Sequence, residues 1–151
     1  MSNTADRIPE DIKAAMRAKD ATSLNALRAL KSALTNAAIE KGGLGTALDE
    51  AEVLAVIRKQ IKQRVDSFEQ FEKANRPELA ATEKTEIEIL SRYLPAALTA
   101  DELETIVSQA VADTGATSKA DMGKLMKRAQ ELAEGRADGK LLSAAVMKRL
   151  A

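Results

Sequence analysis

Apolar residues recur every three to four positions along this chain, and no convincing stretch alternates residue by residue. That spacing is the signature of amphipathic helices. A first helix is predicted over roughly Thr4 to Lys19. A second begins near Asp20 and puts Leu24, Leu27, Leu30, Leu34 and Ala38 on one stripe. Gly42, Gly43 and Gly45 end it, since glycine accepts positive φ at little steric cost. Asp49 is placed to cap a long third helix reaching about Ala74, with Leu54, Ile57, Ile61, Val65 and Phe68 inward. Asn75 and Pro77 mark a turn and a restart, because proline suits the first turn of a helix. The fourth helix carries Leu79, Ile87, Leu90 and Leu94 and is expected to stop at Pro95.

Three shorter helices follow. Thr99-Ala100-Asp101-Glu102 is a capping-box pattern ahead of Leu103, Ile106, Val107 and Ala110, and Gly115 closes that helix. Ser118 opens the next, with Met122, Leu125, Met126 and Ala129 on its apolar face. Gly135 ends it, Asp138 caps the last, and Leu142, Val146 and Leu150 form the final stripe. The change of scale at Pro95 suggests an all-α chain in two parts. These are an N-terminal four-helix domain over 1–95 and a small C-terminal three-helix domain over 96–151.

Composition fits this reading and narrows it. The apolar set is rich in Ala, Leu, Ile and Val, with Phe68, Phe71 and Tyr93 as the only aromatics among 151 residues. Such a set packs helices more readily than sheets. Lys plus Arg and Asp plus Glu both number 23, so no whole-molecule field draws the protein to a polyanion, and any such binding needs a local patch. There is no cysteine and no histidine, which removes the thiol nucleophile, the commonest general base and the usual transition-metal ligands. No cofactor and no metal are therefore expected, and the lack of thiols suits a reducing cytoplasm. Asp6, Arg7, Glu10 and Asp11 are incompatible with a secretory signal. The longest uncharged run is eight residues, such as Thr105 to Ala112. A spanning helix needs about 20, so no membrane partner is expected.

Polar residues on apolar faces carry the most information. At 100° per residue Arg64 lies inside the stripe of Ile57, Ile61, Phe68 and Phe71. Glu83 and Glu86 fall within the stripe of Leu79, Leu90 and Tyr93. Arg64 and Glu86 are equidistant from Asn75, so a hairpin there brings them together. A guanidinium can serve two carboxylates through its fork of donors, which predicts a buried Arg64–Glu86 pair with Glu83 nearby. This is either a structural pin or a paired-carboxylate acid–base site. The first is preferred, since nothing adjacent supplies a nucleophile, metal anchor or phosphate cradle.

Two basic groups are candidate contacts for nucleic acid or, for the first of them, a protein partner. Arg58, Lys59 and Lys62 form a secondary patch on the outer face of the third helix, with a merely solvated surface as the competing reading. In the tail, Ala96 to Thr114 contains four acidic residues and no basic ones, whereas Gly115 onward contains eight basic and four acidic. Lys124, Lys127 and Arg128 sit opposite the Met122/Leu125/Met126 stripe, and Arg136 and Lys140 flank a helix junction. Basic side chains near free helix N-terminal N–H groups would suit phosphate. Gly123 lies inside a helix, where it costs about 1 kcal/mol against alanine. Close approach of another helix or of a ligand backbone would explain it. No GxxxxGK[ST] loop or Rossmann GxGxxG is present, and the glycines at 42–45 end a helix instead of beginning one.

Ile61-Lys62-Gln63-Arg64, Ser67-Phe68-Glu69-Gln70-Phe71, Leu90-Ser91-Arg92-Tyr93-Leu94-Pro95, Asp121-Met122-Gly123-Lys124 and Gly135-Arg136-Ala137-Asp138-Gly139-Lys140 together resemble the GatB/YqeY family, in its free-standing YqeY-like form, over essentially the whole chain. The resemblance implies a four-helix domain followed by a three-helix domain. The same pair forms the tail of the B subunit of the glutamine-dependent tRNA amidotransferase, where it holds tRNA while other parts perform the carbon–nitrogen ligase chemistry with glutamine as amido donor. Carried onto this sequence, the tRNA-facing surface would involve Lys124, Lys127, Arg128, Arg136 and Lys140. The expectation is a non-catalytic tRNA-binding or accessory module, with tRNA and an amidotransferase or other translation-related protein as partners. A protein-interaction adaptor with no nucleic-acid role is the alternative.

Overall fold

A computed structural model describes residues 3–150. Those residues form seven α-helices, one short 3-10 turn and no strand. The chain divides into two compact units, Met1–Leu94 and Pro95–Ala151.

The first unit contains α1 (Thr4–Ala18), α2 (Ala21–Gly42), α3 (Glu50–Lys73) and α4 (Pro77–Ser91). The starts follow local chemistry. Asp20 accepts from the Ser23 N–H at 3.1 Å and Asp49 from the Glu52 N–H at 2.8 Å, each satisfying a donor that the helix cannot. Pro77 takes the first turn of α4, where its missing N–H is harmless. Pro9 lies inside α1 and removes one backbone hydrogen bond; Ile8 and Ala15, buried on either side of it, hold the helix in place. α4 ends at Ser91, four residues before the expected stop. Pro95 disfavours helical geometry at Leu94, and its ring clashes with the carbonyl one turn back, so the helix yields early.

The core of this unit gathers Ile8, Ala26, Leu27, Leu30, Val53, Leu54, Ile57, Ile89, Leu90 and Tyr93. On α3 it reaches only as far as Ile61. Val65, expected inward, is exposed, because it lies about 80° around the helix from Ile57 and falls off the stripe. Leu79 is likewise exposed, and Ala80 takes the buried position beside it. Polar ties join the helices. Glu50, in the first turn of α3, accepts hydrogen bonds from the backbone N–H and hydroxyl of Thr4 at the start of α1. Tyr93 donates its phenol to Asp11, and the Arg7 guanidinium lies 5.1 Å from the centre of the Tyr93 ring. Burial first, and then the Asp11 carboxylate, push the phenol pKa well up, so it stays a donor.

The second unit contains α5 (Ala100–Thr114), a 3-10 turn (Lys119–Asp121), α6 (Met122–Ala133) and α7 (Gly139–Leu150). Thr99 caps α5 through the Glu102 N–H at 3.1 Å, and Asp138 caps α7 through the Leu141 N–H at 2.7 Å. Gly115 ends α5 at φ +68, a conformation strained for other residues. Ser118 opens the 3-10 turn and α6 starts only at Met122. The Asp121 carboxylate accepts from the N–H groups of Thr117 and Ser118, which fixes that entry. Glu134 already turns left-handed before Gly135, at φ 49 and 78 respectively. Val107, Ala110, Ala116, Leu125, Ala129, Ala133, Leu142 and Val146 form this unit's own core.

Because Leu125 is fully buried in a cluster that shares no residue with the first, Leu125→Ala is expected to destabilise the C-terminal unit by about 2–5 kcal/mol. Native-state hydrogen exchange should show faster opening of α5–α7 while the amides of α2 and α3 keep wild-type protection.

Candidate functional site

The five tail cations expected to face tRNA are separated by the fold into two groups. Arg128 projects from α6 toward α5, where its Nε donates to Asp113 at 2.8 Å, while Nη1 donates to Glu131 on α6 itself at 3.0 Å. Arg136, just past α6, pairs through Nη2 with Glu102 of α5 at 2.6 Å and donates through Nε to the Ala96 carbonyl at 3.0 Å. Both guanidiniums are therefore braces that hold α5 against its neighbours. The Arg128 guanidinium, and then Gln109, hold the Asp113 carboxyl below its ordinary value, so the pair stays charged across the neutral range. Neither brace was foreseen from sequence. Their signal was the segregation of acids before Thr114 from cations after Gly115, which is what oppositely charged facing helices produce.

Lys124, Lys127 and Lys140 remain exposed and make no ion pair among the described residues. Lys124 and Lys127 share the outer face of α6, and Asp121 feels the charge of Lys124. Lys140 is the second residue of α7. The N-terminus of that helix is not open to a phosphate in the expected way, because the Asp138 carboxylate already takes the Leu141 N–H. Gly123 is exposed, and a Cβ there would meet nothing within 4 Å. Helix packing is thus not the reason for this glycine.

In the first unit the hairpin brings Arg64 and Glu86 together, with Nε 3.6 Å from Oε2 and side chains 12% and 15% exposed. The guanidinium does not fork onto two carboxylates. Its Nη1 donates to the Gln60 carbonyl at 3.1 Å and the Gln60 side-chain oxygen at 3.0 Å, while buried Nε donates to no acceptor among the described residues. Gln60, one turn back on the same helix, reaches the guanidinium without bringing a second charge out of water. Burial, and then the Glu86 charge, push the Glu83 carboxyl above its ordinary 4.5 against the pull of Arg64. Such an arrangement locks α3 to α4. On the outer side of α3, Lys59 and Lys62 are exposed and Arg58 is half-buried. Of the acids near the start of that helix, Glu52 pairs with Lys41 at 2.7 Å and Glu50 holds Thr4. No three carboxylates among the described residues converge on a point that could hold a metal ion, and none of the described helices is long and apolar enough to cross a membrane.

A family model described as Yqey-like protein matches residues 5–150. Among curated relatives, "Altered inheritance of mitochondria protein 41, mitochondrial" of Lachancea thermotolerans is 39% identical over 97 residues, covering 64% of this chain and 51% of its own length. The protein of the same name from Pyrenophora tritici-repentis is 29% identical over 133 residues, covering 87% of this chain and 71% of its own. That of Meyerozyma guilliermondii is 32% identical over 118 residues, covering 74% and 60%. In the Lachancea match, the chain spans about half the length of the relative.

Two outcomes follow for the charged hairpin. Arg64→Met strands a buried Glu86 carboxylate and is expected to cost about 3 kcal/mol in urea unfolding, whereas Arg64→Met with Glu86→Leu recovers most of that loss. Equal stability of the single and double variants would rule out the pin. Glu83 is penalised in its charged form, so Glu83→Gln should raise Tm at pH 7. That advantage should shrink as pH falls through the raised folded pKa and vanish below the ordinary 4.5, where both states carry the proton.

Proposed function

Since the chain belongs to the YqeY-like family, we propose that it works in the cytoplasm as a non-catalytic, tRNA-binding accessory module of tRNA-dependent amidotransfer. In this reading the carbon–nitrogen ligase chemistry, with glutamine as amido donor, is supplied by a catalytic partner. The observation that carries it is the outer face of α6. Gly123, Lys127 and Lys124 fall within about 100° of one another there. Glu131, which would oppose them, is drawn to Arg128 at 3.0 Å. The open space over Gly123 lets a phosphate backbone come close to the helix, and the two lysines supply its countercharge. Lys140 is the third of the five expected tail contacts that stays exposed. Arg128 and Arg136 belong to the scaffold in this reading, so the phosphate contacts number three and not five.

Three contacts predict a log–log salt slope of about −2 to −3 for tRNA binding. Filter binding between about 50 and 200 mM salt should show it, and Lys124→Glu/Lys127→Glu/Lys140→Glu should flatten the slope and weaken binding by more than about tenfold. Gly123→Ala is expected to stabilise the fold by up to about 1 kcal/mol while weakening RNA binding. Undiminished binding by the triple variant would leave the protein-interaction adaptor in place of the tRNA reading.

A further inference from the structure

Three helices packed around one core leave a groove that a fourth would fill, and here that groove is open. Between α5 and α7 lies a cleft of about 610 Å³ floored by Leu103, Val107, Ala144 and Ala145, with Leu141 on its edge. Leu141 and the nearby Met147 are 44% and 53% exposed, so α7 presents apolar side chains to water on the side away from Leu142 and Val146. No residue of α6 lines the cleft, which separates it from the face carrying Lys124 and Lys127.

The rims are charged with opposite signs. On the α5 side stands Glu104, with Asp101 three residues before it on the same face; on the α7 side stand Lys148 and Arg149. None of these four makes an ion pair among the described residues. An apolar floor offers nothing to a phosphate backbone, whereas it suits an apolar stripe at i, i+3, i+4 and i+7. The rims then ask for cations on one flank of that stripe and anions on the other. A second copy docking through α7 is disfavoured, since α7 carries only cations and would bring them against Lys148 and Arg149.

We propose that the α5/α7 cleft is a docking groove for an amphipathic helix of a partner protein, one with a basic flank that lies along Glu104 and an acidic flank that lies along Lys148 and Arg149. This goes beyond the RNA reading and does not depend on it.

The test uses the full chain and three fluorescein-labelled helical peptides of about 15 residues, marginal alone in water and ordered by the groove. They share one Leu/Ala stripe and differ in their flanks, which are Lys and Glu, Lys on both, or Glu on both. Anisotropy should show the mixed-flank peptide binding about tenfold tighter than either uniform one, an advantage that fades with salt. Lys148→Glu/Arg149→Glu makes both rims acidic and should turn the all-Lys peptide into the tightest ligand. Leu141→Glu/Ala144→Glu, at exposed positions that leave the far-UV CD spectrum unchanged, should weaken all three peptides. The proposal is overturned if the rank order is the same in the rim variant, or if the groove variant binds as well as the parent chain. Self-association in sedimentation that Leu141→Glu abolishes would also overturn it, by assigning the groove to a second copy.

Discussion

An isolated helix shorter than about 15 residues is marginal in water, because nucleation fixes several residues for one hydrogen bond. α1, α4 and α5 have 15 residues each, and α6 and α7 have 12. Each persists because a neighbour covers its apolar stripe. The stripes are rich in alanine: Ala15, Ala26, Ala110, Ala129 and Ala133 are all buried. Small residues let helix axes approach closely and leave Leu30, Ile57, Leu90 and Leu125 to fill the space between them. The rest of the molecule is consequence, since every charged side chain must find its place around stripes whose positions are already fixed.

That ordering explains the electrostatics. In the C-terminal unit, hydrophobic packing of α5 on α6 sets Asp113 and Glu102 beside Arg128 and Arg136, and the resulting pairs brace the bundle. Local charge excess along a sequence is therefore a poor measure of surface potential in a helical hairpin. Acids gathered on one helix and cations on the next can be partners. What reaches solvent as positive charge is the remainder, namely the lysines and Arg149 on faces that no helix covers. The same reasoning makes the α5/α7 groove notable, because there the facing rims differ in sign and no element of the unit stands between them.

In the N-terminal unit the buried charge plays another part. Leucine at residue 64 would continue the α3 stripe and pack without difficulty. Arginine there is tolerable only with Glu86 across the hairpin and Gln60 one turn back. A buried pair of this kind adds little net stability but penalises any slip of α3 along α4, since a shifted register would leave both charges unpartnered. Partial burial and the neighbouring Glu86 charge also raise the pKa of Glu83 at this seam.

Local spacing determined much by itself. The order of the helices, the caps at Asp49, Thr99 and Asp138, the left-handed stop at Gly115 and most buried positions could be read directly, because each depends on residues within one or two turns. The meeting of Arg64 with Glu86 was legible for a related reason, since one turn at Asn75 fixes the register. Tertiary structure decided the rest: that Arg128 and Arg136 are occupied, that Arg64 turns to Gln60 and not to a second carboxylate, that space over Gly123 is open, and that α5 and α7 leave a groove between charged rims. These depend on which way each helix rotates against a neighbour distant in sequence. A rotation of a few tens of degrees, set by core packing, moves a side chain from contact to solvent.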